Sequence, residues 1–235
     1  MSKIRIAFIF DMDGVIINSI PWHRRAWREF FIEHAKNFKG TMRGAKFSRD
    51  YFDNHINGKR GTEIMHSLFG ASVMKKQTKR WDDEREAWYR KTFAPYIKPL
   101  PGLKKLLDEA HKAGIPMALA TSAPPENVPF VLGKTKLQKY FSYIIDASGI
   151  KRGKPHPDMF LKAARTLKIP PEQCVVFEDA ILGVAAGVNA KMPVVAVTNT
   201  YPKKLLPGAK LYIKDFSGLT LKKLLLHLSR PNPKK

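Results

Sequence analysis

Five short apolar runs punctuate the chain, at 4–10 (IRIAFIF), 115–121 (IPMALAT), 143–148 (YIIDAS), 174–179 (CVVFED) and 192–199 (MPVVAVTN). They are largely unbroken and rich in β-branched residues, the pattern of strands buried on both faces of a parallel sheet. Residues 102–113, 127–137, 157–167 and 180–190 carry apolar positions three and four apart, which is the helical period. Strand and helix therefore alternate, and the spacing predicts an α/β fold with a Rossmann-like, doubly wound parallel sheet. In such sheets ligands bind beyond the carboxyl ends of the strands. Asp11, Asp13, Thr121, Glu178 and Asp179 all fall at predicted strand ends.

Residues 20–95 break the alternation. PWHRRAWREFFIEHAKNF (21–38) and KKQTKRWDDEREAWYRKTF (75–93) read as amphipathic helices with no strand between them, so a helical subdomain is expected to be inserted after the first strand. Pro95, Pro99 and Pro101 make the return to the sheet a restrained hinge, after which Gly102 opens a new helix. The expected division is an α/β core of 1–18 and 97–235 and a helical insert of 19–96.

Composition adds limits. With 235 residues and 44% hydrophobic content, the chain can bury a sizeable core without staples. The single cysteine, Cys174, has no intramolecular partner, and IAFIF runs straight into Asp11 rather than forming a cleavable signal, so a cytoplasmic setting is expected. No apolar run approaches the roughly 20 residues of a spanning helix. The formal charge of +22 implies attraction to polyanions or phosphorylated substrates. Cations are denser at 75–80, 203–204 and 234–235. A solvated basic surface is the simpler explanation, with contact to nucleic acid or a membrane surface as the alternative.

FIFDMDGVIINS places two carboxylates two residues apart on the loop after a buried strand, and Gly14 permits a sharp turn there. Such a pair suits phosphoryl transfer, one carboxylate attacking phosphorus and the other moving the proton. Two anions facing a phosphate need a hard divalent cation, and Glu178 with Asp179 supply further oxygen ligands. Taken alone, the pair could equally be a turn bonding its own backbone. Thr121 and Ser122 end a strand and could hold phosphate oxygens or simply cap the next helix. Lys154, in GKPHPDMF, could neutralise the reacting groups or be one more surface lysine.

DMDGV (11–15), ATS (120–122), GKPHPDMF (153–160) and FEDAILGVAAGVNA (177–190), in that order, resemble the four motifs of the haloacid dehalogenase superfamily, and the resemblance covers nearly the whole chain. Its nearest branch is that of the β-phosphoglucomutase-like phosphatases and mutases, with a small helical cap inserted after the first motif. The resemblance implies that Asp11 is nucleophile and metal ligand. Asp13 is implied as general acid/base, its backbone carbonyl contributing to the metal. Thr121, Ser122 and Lys154 are implied to bind phosphate, and Glu178 and Asp179 to hold Mg²⁺. In the cap, NSIPWHRRAW (18–27) resembles the hinge and first cap helix. His23 there is either the group that orients the acid/base in mutases or an exposed helix residue. NGKRGTEIM (57–65) resembles the loop that closes over substrate, with Arg60 matching a phosphate-gripping arginine, Lys59 beside it, and Arg85 near a second basic cap position. Asn18 departs from the acidic residue common in the hinge, and the segment 40–51 is longer and more basic than the family pattern.

The function so implied is a Mg²⁺-dependent phosphatase that hydrolyses a small phosphomonoester, of the sugar phosphate class, through an aspartyl-phosphate. The alternatives are a β-phosphoglucomutase-type mutase and a non-enzymatic polyanion-binding protein. The expected partner is a small phosphorylated metabolite, with nucleic acid the less favoured one.

Overall fold

The computed structural model describes residues 6–39, 46–70 and 73–230. Six strands, β1 (Ala7–Phe10), β2 (Met117–Ala120), β3 (Tyr143–Ile145), β4 (Cys174–Glu178), β5 (Val194–Val197) and β6 (Leu211–Ile213), form one sheet in the order β3-β2-β1-β4-β5-β6. Every pairing is parallel. The α-helices of the described residues are α1 (Ile20–His34), α2 (Arg49–Tyr51, continued as a π-helical turn over Phe52–Ile56), α3 (Gly61–Phe69), α4 (Lys75–Phe93), α5 (Leu103–Lys112), α6 (Asn127–Thr135), α7 (Asp158–Leu167), α8 (Ile181–Asn189) and α9 (Leu221–Ser229), of which α2 alone is a single turn.

Period-2 alternation on the central strands sorts the sheet into two cores. Phe8, Phe10, Val175 and Phe177 face one side with Leu106 of α5, Val131 of α6 and Leu224 of α9. Phe10 and Phe177 stack there with centroids 4.2 Å apart. Ala7, Ile9, Ala118 and Val176 face the other side with Phe160 of α7 and Val184 of α8. Small residues on this second face let the helices approach closely, and a methyl group on Gly187 would meet Val194 at 2.6 Å. Cys174 lies in this core, and burial pushes its thiol up to about 12, so it is no nucleophile.

After β1 the chain enters α1–α4. Pro21 at the start of α1 uses a helix position that needs no N–H donor. The outer part of this insert has a core of its own, built from Trp27, Phe30, Phe31, Phe52, Leu68 and Phe69 among others. Its base shares the first sheet core through Ala26, Tyr89 and Phe93.

Two expectations differ from the structure, and two elements lie beyond any that the apolar pattern predicts: β6 pairs with β5, and α9 buries Leu224; residues 234–235 lie outside the described residues. β6 escaped notice because it has only three half-buried residues. The stretch 57–65 is loop only as far as Arg60, since Gly61 begins α3. The run 143–148 is strand only to Ile145, where Asp146 accepts a hydrogen bond from the Ser148 amide at 2.8 Å and turns the chain. Of the segment 40–51, residues 40–45 lie outside the described residues.

Candidate active site

Asp11 and Asp13 follow β1, Thr121 and Ser122 follow β2, Glu178 ends β4 with Asp179 after it, and Lys154 comes from the loop before α7. All face the carboxyl edge of the sheet and line one cavity. The loop that carries the two aspartates is tight: Gly14 donates its amide to the Ile17 carbonyl at 2.8 Å, and its φ is +81°. A Cβ at Gly14 would lie 1.9 Å from Asp179 Oδ2, so the glycine serves both the turn and the close approach of the two motifs.

Lys154 is not a surface lysine. Its side chain is 2% exposed, and Nζ donates to Asp11 Oδ1 at 2.7 Å and to Glu178 Oε1 at 2.5 Å. Glu178 is fixed from its other oxygen, which accepts the amides of Asp179 (2.7 Å) and Ala180 (2.8 Å). Asp179 Oδ2 accepts from the Thr200 hydroxyl. Two carboxyl groups thus share one ammonium, and Asp179 lies within reach of its charge. Burial, with repulsion from Glu178 and Asp13, pushes Asp11 up to about 7 against the pull of Lys154, and burial, Glu178 and Asp11 raise Asp179 well above the carboxylate range. Lys154 is itself buried, yet Asp11 and Glu178 hold its ammonium above the usual lysine range.

Asp13 has a separate environment. Its Oδ1 takes the Ser19 hydroxyl at 2.5 Å and lies 3.2 Å from His23 Nε2, and the His23 ring stacks on Tyr89 with centroids 3.8 Å apart. Burial works against ionisation of Asp13, but His23 and the Ser19 hydrogen bond hold its carboxyl below the usual range. His23 is therefore no exposed helix residue. The two aspartates are two residues apart, yet one answers to a buried lysine and the other to the helical insert.

Thr121 Oγ1 accepts the Ala123 amide at 3.1 Å, a local turn of the kind that capping predicts, while Ser122 Oγ donates to the Gly58 carbonyl at 3.2 Å. Of the basic residues of the insert, Lys59 lines the cavity. Arg60 is turned onto Glu63 and onto the Ile150 carbonyl at 2.5 Å, bridging insert and core instead of lining the cavity. Arg85 lines the cavity but is held by Asp82 (2.5 Å) and Glu86 (2.6 Å), with its guanidinium 4.0 Å over Trp27; one of its nitrogens, Nη1, has no partner among the described residues.

Sequence reasoning missed Ser19, Glu86, Asn199 and Thr200. Thr200 closely follows β5, so the strand-end filter that picked out Thr121 could have found it. Glu86 had no such signal, being one acid among several on an amphipathic helix.

Oxygen-rich chemistry here fits a hard cation. Asp11 Oδ2 and Asp179 Oδ1 receive no hydrogen bond from the described residues, and Asp11, Glu178 and Asp179 together carry more negative charge than the one ammonium beside them offsets. No cluster of three or more His, Cys, Asp or Glu side chains suited to a metal occurs among the described residues. Mg²⁺ does not require one, because it is usually held by one or two carboxylates and completed by water and substrate oxygens.

A family model described as haloacid dehalogenase-like hydrolase matches residues 7–191. The chain is 31% identical over 232 residues to β-phosphoglucomutase of Bacillus subtilis, covering 94% of this chain and 93% of that protein. It is 30% identical over 219 residues to hexitol phosphatase A of Escherichia coli, covering 92% and 94%. Among solved structures, β-phosphoglucomutase from Clostridium difficile superposes with a TM-score of 0.82 at 25% identity, over 95% of this chain and 97% of that one.

Proposed function

The chain belongs to the haloacid dehalogenase-like hydrolases, and from that premise we propose that it is a Mg²⁺-dependent phosphatase of a small phosphomonoester, a sugar phosphate by class. The observation that carries this reading is the division of labour between the two aspartates, Asp11 on Lys154 and Asp13 on Ser19 and His23. The names of the relatives, a hexitol phosphatase and a sugar phosphate mutase, support the substrate class.

In the proposed reaction Asp11 Oδ2 attacks phosphorus and the bond from phosphorus to the ester oxygen breaks, leaving an aspartyl-phosphate and an alkoxide that takes its proton from Asp13. Asp13, again a carboxylate, then removes a proton from water; the hydroxide attacks phosphorus, phosphate leaves, and Asp11 is regenerated. The environment of Asp13 favours the carboxylate form that the second step needs, and the proton it takes from water there is the one it delivers to the next leaving group. Lys154 offsets the charge of the attacking oxygen and of the phosphoryl group, and the Thr121 hydroxyl, which accepts from Ala123 and donates to no described residue, offers its hydrogen to an outer oxygen. Mg²⁺, when bound, would be held by Asp11, Asp179 and the Asp13 carbonyl rather than by Glu178, whose two oxygens are taken by Lys154 and by the Asp179 and Ala180 amides, and it would neutralise charge on the transferring group. We assign residues 19–96 as a cap over a core of 1–18 and 97–235, its docking excluding water from the cavity.

The contact of His23 with Asp13 favours a second reading, a β-phosphoglucomutase-type mutase, in which the aspartyl-phosphate is kept for a returning sugar phosphate. One experiment separates the two: phosphate release from a panel of phosphorylated metabolites with Mg²⁺, comparing wild type with Asp11→Asn. Release that Asp11→Asn abolishes supports the phosphatase. Conversion of β-glucose 1-phosphate to glucose 6-phosphate without release supports the mutase. Inactivity on every compound overturns both and leaves polyanion binding.

A further inference from the structure

The loop after β5 reads Asn199, Thr200, Tyr201, and its three side chains reach three different parts of the molecule. Asn199 Nδ2 donates to the Gly14 carbonyl at 2.9 Å, and Thr200 Oγ1 donates to Asp179. Tyr201 turns the other way, into the helical insert. Its hydroxyl accepts from Asn57 Nδ2 at 3.1 Å and donates toward Asp53, whose carboxylate oxygen lies 3.1 Å and whose carbonyl lies 3.3 Å away. Tyr201 is buried, and all three of these contacts cross from core to insert. Asp53 also meets Arg24 of α1 at 3.5 Å, and Arg24 adjoins His23, which holds Asp13. The insert is therefore tied down on both sides of the cavity, by His23 at Asp13 and by Tyr201 one residue from the partner of Asp179.

We propose that Tyr201 is a positioning residue for the reaction: its hydroxyl docks the 53–57 turn on the core and so keeps Asn57, Gly58 and Lys59 against the cavity. The proposal rests on reading that cavity as a phosphomonoester site. A buried hydroxyl bonded to a carboxylate is worth more than a neutral pair, and its loss leaves Asp53 and Asn57 each one partner short. If only part of the population has the turn docked, apparent substrate affinity falls by that fraction. Tyr201 makes no hydrogen bond to Asp11, Asp13 or Lys154, so the chemical step itself is untouched.

Tyr201→Phe in the full-length chain with Mg²⁺ tests this in two ways. Amide hydrogen exchange over residues 53–60, measured without substrate, rises about tenfold, while Tyr212→Phe, which removes a 2.9 Å bond to the Leu206 carbonyl within the core, leaves it unchanged. With sorbitol 6-phosphate or β-glucose 1-phosphate as the probe, KM rises about tenfold and kcat stays within about twofold. Asn57→Ala produces the same local exchange, and the double variant is no worse than either single one. Unchanged exchange over 53–60, a lowered melting temperature without local exchange, additive effects in the double variant, or a loss of kcat at constant KM each overturns the proposal. If no compound of the phosphorylated panel is turned over, the phosphomonoester reading fails, and the exchange measurement still decides the role of Tyr201.

Discussion

The Lys154 ammonium has Asp11 on one side and Glu178 on the other, with side-chain exposures of 2%, 8% and 0%. Removing one partner of a buried ion pair leaves uncompensated charge and costs about 3–5 kcal/mol. Lys154→Met is thus expected to lower the melting temperature in Mg²⁺-free buffer and to cut kcat/KM by roughly 10²–10³-fold, since the amine also offsets charge at the reacting phosphoryl group. Calorimetry and phosphate release check the two effects separately. Asp11→Asn keeps the shape of the side chain, loses the proposed nucleophile and leaves Lys154 paired with Glu178, so it should leave folding intact while release vanishes. The gathering of these residues was partly legible in the sequence. The order of the motifs pointed to Asp11, Asp13, Lys154 and Asp179, but no pattern could tell that Lys154 is buried or that Arg60 is spent on Glu63 and a core carbonyl. Both facts depend on which loop meets which across the sheet edge.

At the scale of elements, the turn after β1 is the tightest constraint. Gly14→Ala asks for a positive φ on a residue with a Cβ and drives that Cβ into Asp179. It should cost several kcal/mol or displace Asp179. A urea midpoint well below that of wild type, together with a loss of activity, is the expected result. The contact between α4 and α6 makes a prediction in pH. Glu86 of α4 accepts from Arg85 at 2.6 Å and from Asn127 of α6 at 2.8 Å, and Arg90 donates to the same asparagine at 2.8 Å. Burial opposes ionisation of Glu86, yet Arg85, His23 and Asn127 hold its carboxyl below the usual range. A depressed carboxyl stabilises the fold above its unfolded pKa, about 4.3, and loses that contribution as pH falls through the folded value. Glu86→Gln should therefore cost about 3 kcal/mol at pH 7 and progressively less below about pH 4, read from urea midpoints across that range. If the difference stays constant down to pH 3, the carboxylate charge is not what joins the two helices. The long helices and the central strands were legible because their apolar periods persist over many residues. α2, α3, β6 and α9 were not, being too short or too polar for a period to stand out.

At the scale of the whole molecule, 42 Lys and Arg residues face 20 Asp and Glu residues, while the site gathers acids: Asp11, Asp13, Glu178 and Asp179 line one cavity. The excess of positive charge therefore belongs to the rest of the molecule. The described exposed salt bridges, Lys79 with Asp83, Arg80 with Glu84 and Lys104 with Asp108, consume acids as well as bases and leave that excess in place. A net field of this sign draws phosphorylated molecules toward the protein from beyond contact range, and salt screens it over a Debye length of about 10 Å at 0.1 M. The buried site is screened far less. Encounter and chemistry should therefore respond differently to ionic strength. Between roughly 20 and 300 mM NaCl, kcat/KM for a dianionic phosphomonoester is expected to fall several-fold while kcat holds within about twofold. Steady-state kinetics across a salt series reads both. A matched fall in kcat would place the salt sensitivity inside the cavity, in the balance of carboxylates around Lys154, and would remove long-range attraction as the use of the basic surface.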